Sequence, residues 1–143
     1  MKHRGAKAGR ARLTLTLAAA LVLLLQASCS AMSRPQVTKT VTDKDAGSQV
    51  VLASGDVLIV KLEAVPGTGY GWEIADLDTT ILSPLGEPTI ESTEKGGPGA
   101  QELQVFRLQA AKAGSSLLKL DYVRPWEKDT PPIKTYSINV EVR

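Results

Sequence analysis

The sequence is poor in the side chains that most enzymes work with. It holds one histidine, His3, and one cysteine, Cys29, both close to its amino end. Zinc sites built from His and Cys need three or four protein ligands, so none is expected. A second cysteine is missing, so no disulfide is expected and a folded domain must stand on its core alone. No apolar run approaches the about 20 residues that a membrane-spanning helix needs. No helical period holds over 11 residues or more. The nearest, "ADLDTTILSPLG", is broken by Pro84 and Gly86 and holds at most a short turn.

What stands first is a leader pattern. "MKHRGAKAGRAR" is basic, "LTLTLAAALVLLL" is an apolar run of 13 residues, and "QASCS" is small-residue sequence around Cys29. Basic, apolar and small segments in that order describe a secretory signal. Ala27-Ser28-Cys29 resembles the lipobox of bacterial lipoproteins, where cleavage precedes a cysteine that becomes lipidated. Gln26 stands where that motif usually has Leu, so a plain secreted chain cut near Ala31 is the alternative. The expected layout is a signal over 1–28, a polar tether over 29–46 and one domain over 47–143. Residues 37–42, "VTKTVT", are a candidate short edge strand within the tether. The protein is expected in the cell envelope, exported, and touching membrane only through a lipid on Cys29.

Removing the leader changes the charge. Lys2, Arg4, Lys7, Arg10 and Arg12 account for five of the 17 basic residues, leaving 12 against 15 acidic ones, about −3. That balance, without basic and aromatic interleaving, argues against nucleic acid as a partner. Losing His3 and lipidating or losing Cys29 also excludes Ser-His-Asp and Cys-His catalysis. Glu91, Glu94, Asp121 and Glu127 lie in polar sequence, without the apolar neighbours that raise a pKa for acid catalysis, and read as solvated charge. The domain is therefore expected to be no enzyme and to need no cofactor or metal.

After residue 47 alternation dominates. Leu58, Val60 and Leu62 share one parity, as do Leu118, Leu120 and Tyr122, and again Tyr136, Ile138, Val140 and Val142. Period 2 describes strands with one buried face. "ELQVFRLQA" changes parity between Val105 and Phe106, which predicts a β-bulge there. About seven short strands with Gly and Pro turns predict an all-β, immunoglobulin-like sandwich.

Three loops stand out. In "VPGTGYGW", Pro66 stiffens a turn in which Thr68 is the largest side chain before Tyr70. In "EKGGPGAQE", Gly96, Gly97 and Gly99 bracket Pro98 and offer backbone instead of side chains. In "YVRPWEKD", Trp126 stands among Arg124, Glu127, Lys128 and Asp129. Trp72 follows a turn and opens a strand, which predicts a core position. Trp126, among charges, reads as a contact residue, since Trp and Arg are enriched where interfaces hold their energy. In the usual sandwich order these loops converge at one end and form a ridge suited to a groove.

The three loops together resemble the chagasin family of inhibitors of papain-like cysteine peptidases. Val65-Pro66-Gly67-Thr68-Gly69-Tyr70-Gly71-Trp72 is similar to N-P-(S/T)-T-G-(F/Y)-x-W, with Val65 and Gly67 departing. Gly97-Pro98-Gly99-Ala100 is similar to G-x-G-G, with Ala100 departing, and Arg124-Pro125-Trp126 keeps R-P-W intact. The resemblance spans about 50–142. It implies a reversible inhibitor acting as a monomer, whose first loop covers the catalytic cysteine with Thr68 nearest the thiolate. The second loop would lie along the unprimed cleft through its backbone, and Trp126 would pack on the primed side. The departures imply a cost. Val65 removes an Asn that shapes such loops, Gly67 adds flexibility, and Ala100 strains its loop if that position needs a positive φ. A non-inhibitory envelope module binding peptide or glycan is the competing expectation.

Overall fold

A computed structural model describes residues 34–93 and 101–143. Residues Gln36–Arg143 form one compact unit. Among the described residues nine strands build it: β1 (Thr38–Thr42), β2 (Gln49–Leu52), β3 (Val57–Ala64), β4 (Gly71–Asp76), β5 (Leu82–Pro84), β6 (Thr89–Ser92), β7 (Glu102–Ala110), β8 (Gly114–Val123) and β9 (Lys134–Val142). One sheet runs β1-β3-β7-β5, with β6 also on β7; the other runs β2-β9-β8-β4. The immunoglobulin-like sandwich expected from the alternation is present, with two short edge pieces more than the alternation alone marked out.

The inward parity is the core. Leu58, Val60, Leu62, Leu108, Leu118, Leu120 and Ile138 are fully buried between the sheets. Each such side chain contributes about 2 kcal/mol of transfer free energy. Trp72 joins them at 4% exposure, as its place after the turn predicts.

Two expectations need correction. Residues 36–46, read as tether, belong to the compact unit. β1 pairs in parallel with β3 and buries Val41, and a 3-10 turn at Asp43–Asp45 carries the chain to β2 on the other sheet. Asp45 accepts bonds from the Thr42 amide and hydroxyl, and Asp43 accepts from the Glu63 amide, so these polar residues close an end of the fold. The bulge predicted at Val105 and Phe106 is also absent. β3 and β7 stay in register from Val57 opposite Gln109 to Ala64 opposite Glu102. Phe106 faces the core. Val105 lies on the other face, between Lys61 and Thr89, and is still fully buried. An ion network spans the same face beside it: Lys61 meets Glu91 at 2.6 Å and Arg107 meets Glu91 at 3.6 Å, and the aliphatic stems of such side chains can cover apolar surface. The register shift in this fold lies instead between Ile74 and Asp76 of β4.

Candidate functional site

Topology brings the loops together. Ala64 and Ser92 both pair with Glu102, and Gly71 pairs with Val123. The connections β3–β4, β6–β7 and β8–β9 therefore leave the same end of the sandwich.

The first connection is a 3-10 turn at Pro66–Thr68, with proline where a helical start tolerates it. The Thr68 amide donates to the Val65 carbonyl and the Gly69 amide to the Pro66 carbonyl, both at 3.0 Å. Gly69 then ends the turn at φ +78°, a left-handed conformation that side chains other than glycine resist. Thr68 is exposed, but its hydroxyl turns back and donates to the Val65 carbonyl at 2.6 Å. The Val65 amide donates to the Tyr122 hydroxyl at 3.0 Å. Thr68 is thus at the tip as the sequence predicts, and its oxygen braces the turn.

Aromatic packing roots this tip. Tyr122 lies between Tyr70 and Trp72, with ring centroids 5.5 and 5.0 Å away. The Trp72 indole donates to the Glu63 carbonyl at 2.9 Å. Gln104 closes the Trp72 backbone from the opposite sheet, accepting from its amide at 2.8 Å and donating to its carbonyl at 2.9 Å.

Arg124 couples the third connection to the first. Its Nε donates to the Thr68 carbonyl at 3.1 Å, and its guanidinium lies 4.3 Å from the Tyr70 ring centroid. Its Nη1 pairs with Glu127 at 3.1 Å, and the Glu127 amide donates to the Arg124 carbonyl at 3.0 Å. Such cation–π contacts contribute about 0.5–1 kcal/mol at exposed sites. Pro125 follows, and Trp126 is 66% exposed with its ring against Gly69. A Cβ at Gly69 would fall 3.0 Å from the Trp126 Cζ2 and nearer still to Cη2. Pro66, Gly67, Thr68, Gly69 and Tyr70 are in this way joined to Arg124, Pro125 and Trp126 as one ridge.

The second motif, Gly97, Pro98, Gly99 and Ala100, lies outside the described residues, as does Cys29. Its stem is described: the Thr93 hydroxyl donates to the Gln101 carbonyl at 2.8 Å, beside the β3 end that feeds the first loop.

Three participants are not apparent from the motifs alone. Gln104 carries a signal, a polar residue at the inward parity of Phe106 and Leu108. The Tyr122 hydroxyl carries none, because its partner lies 57 residues away. Glu127, read as solvated, is half-buried against Arg124. Among the described residues no three His, Cys, Asp or Glu side chains gather as a metal site. The described part of the ridge carries one ion pair, Arg124 with Glu127. What it offers is shape: a braced backbone tip beside an indole.

Residues 51–140 match the family model described as chagasin family peptidase inhibitor I42, and the chain belongs to that family, whose members are protease inhibitors and not enzymes. It is similar to Amoebiasin-2 of Entamoeba histolytica, at 31% identity over 104 residues, covering 71% of this chain and 83% of the relative. The crystal structure of the cysteine protease inhibitor EhICP2 from Entamoeba histolytica superimposes with a TM-score of 0.68 at 27% identity, over 78% of this chain and all of that one. The solution structure of Amebosin shares the fold, with a TM-score of 0.60 at 21% identity over 77% of this chain and 100% of that one.

Proposed function

We propose that the protein is a reversible inhibitor of papain-like cysteine peptidases, wedging residues 66–72, 96–100 and 124–126 into the active-site cleft. The observation that carries this reading is the Arg124 clasp, which joins the Thr68 carbonyl and the Tyr70 ring before any partner arrives. A preassembled ridge loses little loop entropy on docking, so more of its contact energy appears as affinity. The 3-10 tip places no extended peptide bond in a substrate-like pose, so the enzyme's thiolate meets a braced turn and cuts nothing. Thr68 covers the thiolate with a side chain whose hydroxyl is already bonded within the loop. Trp126, exposed and standing on Gly69, supplies the apolar anchor on the primed side. Three loops of this reach would bury about 1,600 Å² in total, the standard interface size.

The inhibitor acts as a monomer outside the cytoplasm, held to the envelope by a lipid on Cys29 after the signal over 1–28 is cut. Palmitate labelling that disappears in Cys29→Ala tests the anchor.

Inhibition of papain and a cathepsin by the purified protein tests the function. The wild type should inhibit saturably and reversibly, and Trp126→Ala and Thr68→Arg should each raise the inhibition constant at least about tenfold. A folded protein that leaves a panel of such peptidases untouched at about micromolar concentration refutes the reading, and the ridge then belongs to a non-inhibitory envelope module.

A further inference from the structure

A groove of about 530 Å³ runs down the side of the sandwich from the ridge. It exists because the two sheets end unevenly. β4 is the last strand of its sheet, while on the other β5 covers β7 only to Leu108 and β6 only from Val105. The link between them, 85–88, leaves the space open and is held by the Leu85 amide donating to the Arg107 carbonyl at 2.7 Å. Trp72, Phe106 and Leu108 line the groove from the core, with Ile74 and Pro88 beside them and Pro125 joining it to the ridge.

Among the described residues the β4 edge is only half closed. Gln104 bonds the amide and carbonyl of Trp72. Alternate residues of an antiparallel strand turn their backbone groups the same way, so the Ile74 amide also points from the free edge into the groove it lines. An open strand edge beside an apolar channel is a template for an added strand. Glu73 and Glu87 are exposed at the lining, whereas Arg107 is engaged with Glu91 and Thr89.

We infer that this groove takes an extended segment of the inhibited peptidase, from the enzyme surface flanking its cleft, paired along β4 at Ile74. The inference rests on the inhibitor reading above and extends it. Pro125 belongs to the ridge and lines the groove, and Gly71 and Trp72, which follow the ridge's first loop directly, line it as well, so an enzyme seated on the ridge faces the groove mouth. The segment carries an apolar side chain toward Phe106 and a Lys or Arg toward Glu87. The groove adds a second contact that distinguishes peptidases with the same catalytic cleft but different flanking surfaces.

The test uses papain and the full chain, with Pro88→Trp to fill the channel and Glu87→Lys to reverse its rim charge. Both positions are exposed, so the fold should survive either change. Each variant should raise the inhibition constant about tenfold, through faster dissociation. Hydrogen exchange at the Ile74 amide should slow in the complex with wild type. Wild-type inhibition by both folded variants, with unchanged Ile74 exchange, overturns the groove inference and leaves the ridge standing. A wild type that inhibits nothing overturns both. Slowing of Ile74 exchange with protein concentration alone would mean that a second copy fills the groove, and would also overturn it.

Discussion

The sharpest test of the ridge is the substitution Gly69→Ala, set against Gly67→Ala two residues away. Gly69 holds φ +78°, where an L side chain costs roughly 1–2 kcal/mol. The added methyl would also press on the Trp126 ring, at 3.0 Å from Cζ2. Trp126 is 66% exposed, so the ring can swing away, and the steric conflict becomes displacement instead of unfolding. Backbone strain then sets the stability loss, and a domain of this size should melt about 5–10 °C lower. Gly67 is outside the left-handed region, and an alanine methyl there would have nothing within 4 Å of it. Alanine at 67 should leave stability unchanged or raise it by about 0.4–1 kcal/mol, through the unfolded chain.

Thermal unfolding reads the strain, and acrylamide quenching of tryptophan emission reads the displacement. Trp72, at 4% exposure, is the internal reference that should not change. In Gly69→Ala the accessible tryptophan should become more quenchable, and inhibition of papain should weaken about tenfold, or about 1.4 kcal/mol. Equal stability and equal quenching for the two alanine variants would refute the reasoning, because only the φ angle and the indole contact separate the two sites.

Two further outcomes are expected. Arg124→Lys keeps the charge but loses the planar Nε donor to the Thr68 carbonyl, so inhibition should weaken several-fold, by about 1 kcal/mol, with the melting temperature little changed; inhibition equal to wild type would show that the clasp does not shape the ridge. Tyr136 has a buried hydroxyl with no partner among the described residues, and burial, followed by Asp45 and Asp43, pushes its pKa from 10.0 up to about 12. Below pH 10 both states keep the proton and the contribution is complete; between pH 10 and 12 only the unfolded chain ionises, so stability falls by about 1.4 kcal/mol per unit. Urea unfolding should show Tyr136→Phe at least as stable as wild type at pH 7 and clearly more stable at pH 11, and an identical alkaline slope in both proteins would contradict this.

Strand positions and core were legible because alternation is a local signal that burial enforces. Leu58 through Ala64 and Tyr136 through Val142 alternate as a one-sided strand must, and the structure buries those parities. The two tryptophans were legible for the same reason: Trp72 has apolar company at period 2, and Trp126 has charged neighbours on both sides. The parity rule failed at Val105 because it assumes that the outer face of a sheet meets water. Here Lys61, Glu91 and Arg107 form an ion network from three strands on that face, and no window along the chain contains all three. β1 was marked as a candidate edge strand but assigned to a tether, since Val41 alone of its residues is buried and polar neighbours surround it.

Residue 65 shows how the loop tolerates a departure that its sequence marked as a weakness. A side chain such as Asn shapes a turn by bonding nearby backbone. In this protein the bonding runs the other way: the backbone of Val65 is the hub and other side chains reach it. Its amide is held by Tyr122, and its carbonyl receives both the amide and the hydroxyl of Thr68. Those contacts depend on the main chain at 65 and on Thr68 and Tyr122, so valine costs them nothing. The flexibility that Gly67 introduces is likewise confined, because the residues on either side of it are fixed, Pro66 by its ring and Thr68 by Val65 and Arg124. Tolerance at the two departing positions therefore places the strict requirement elsewhere, on Thr68, Gly69, Tyr122 and Arg124, where one changed side chain disconnects the tip from its supports.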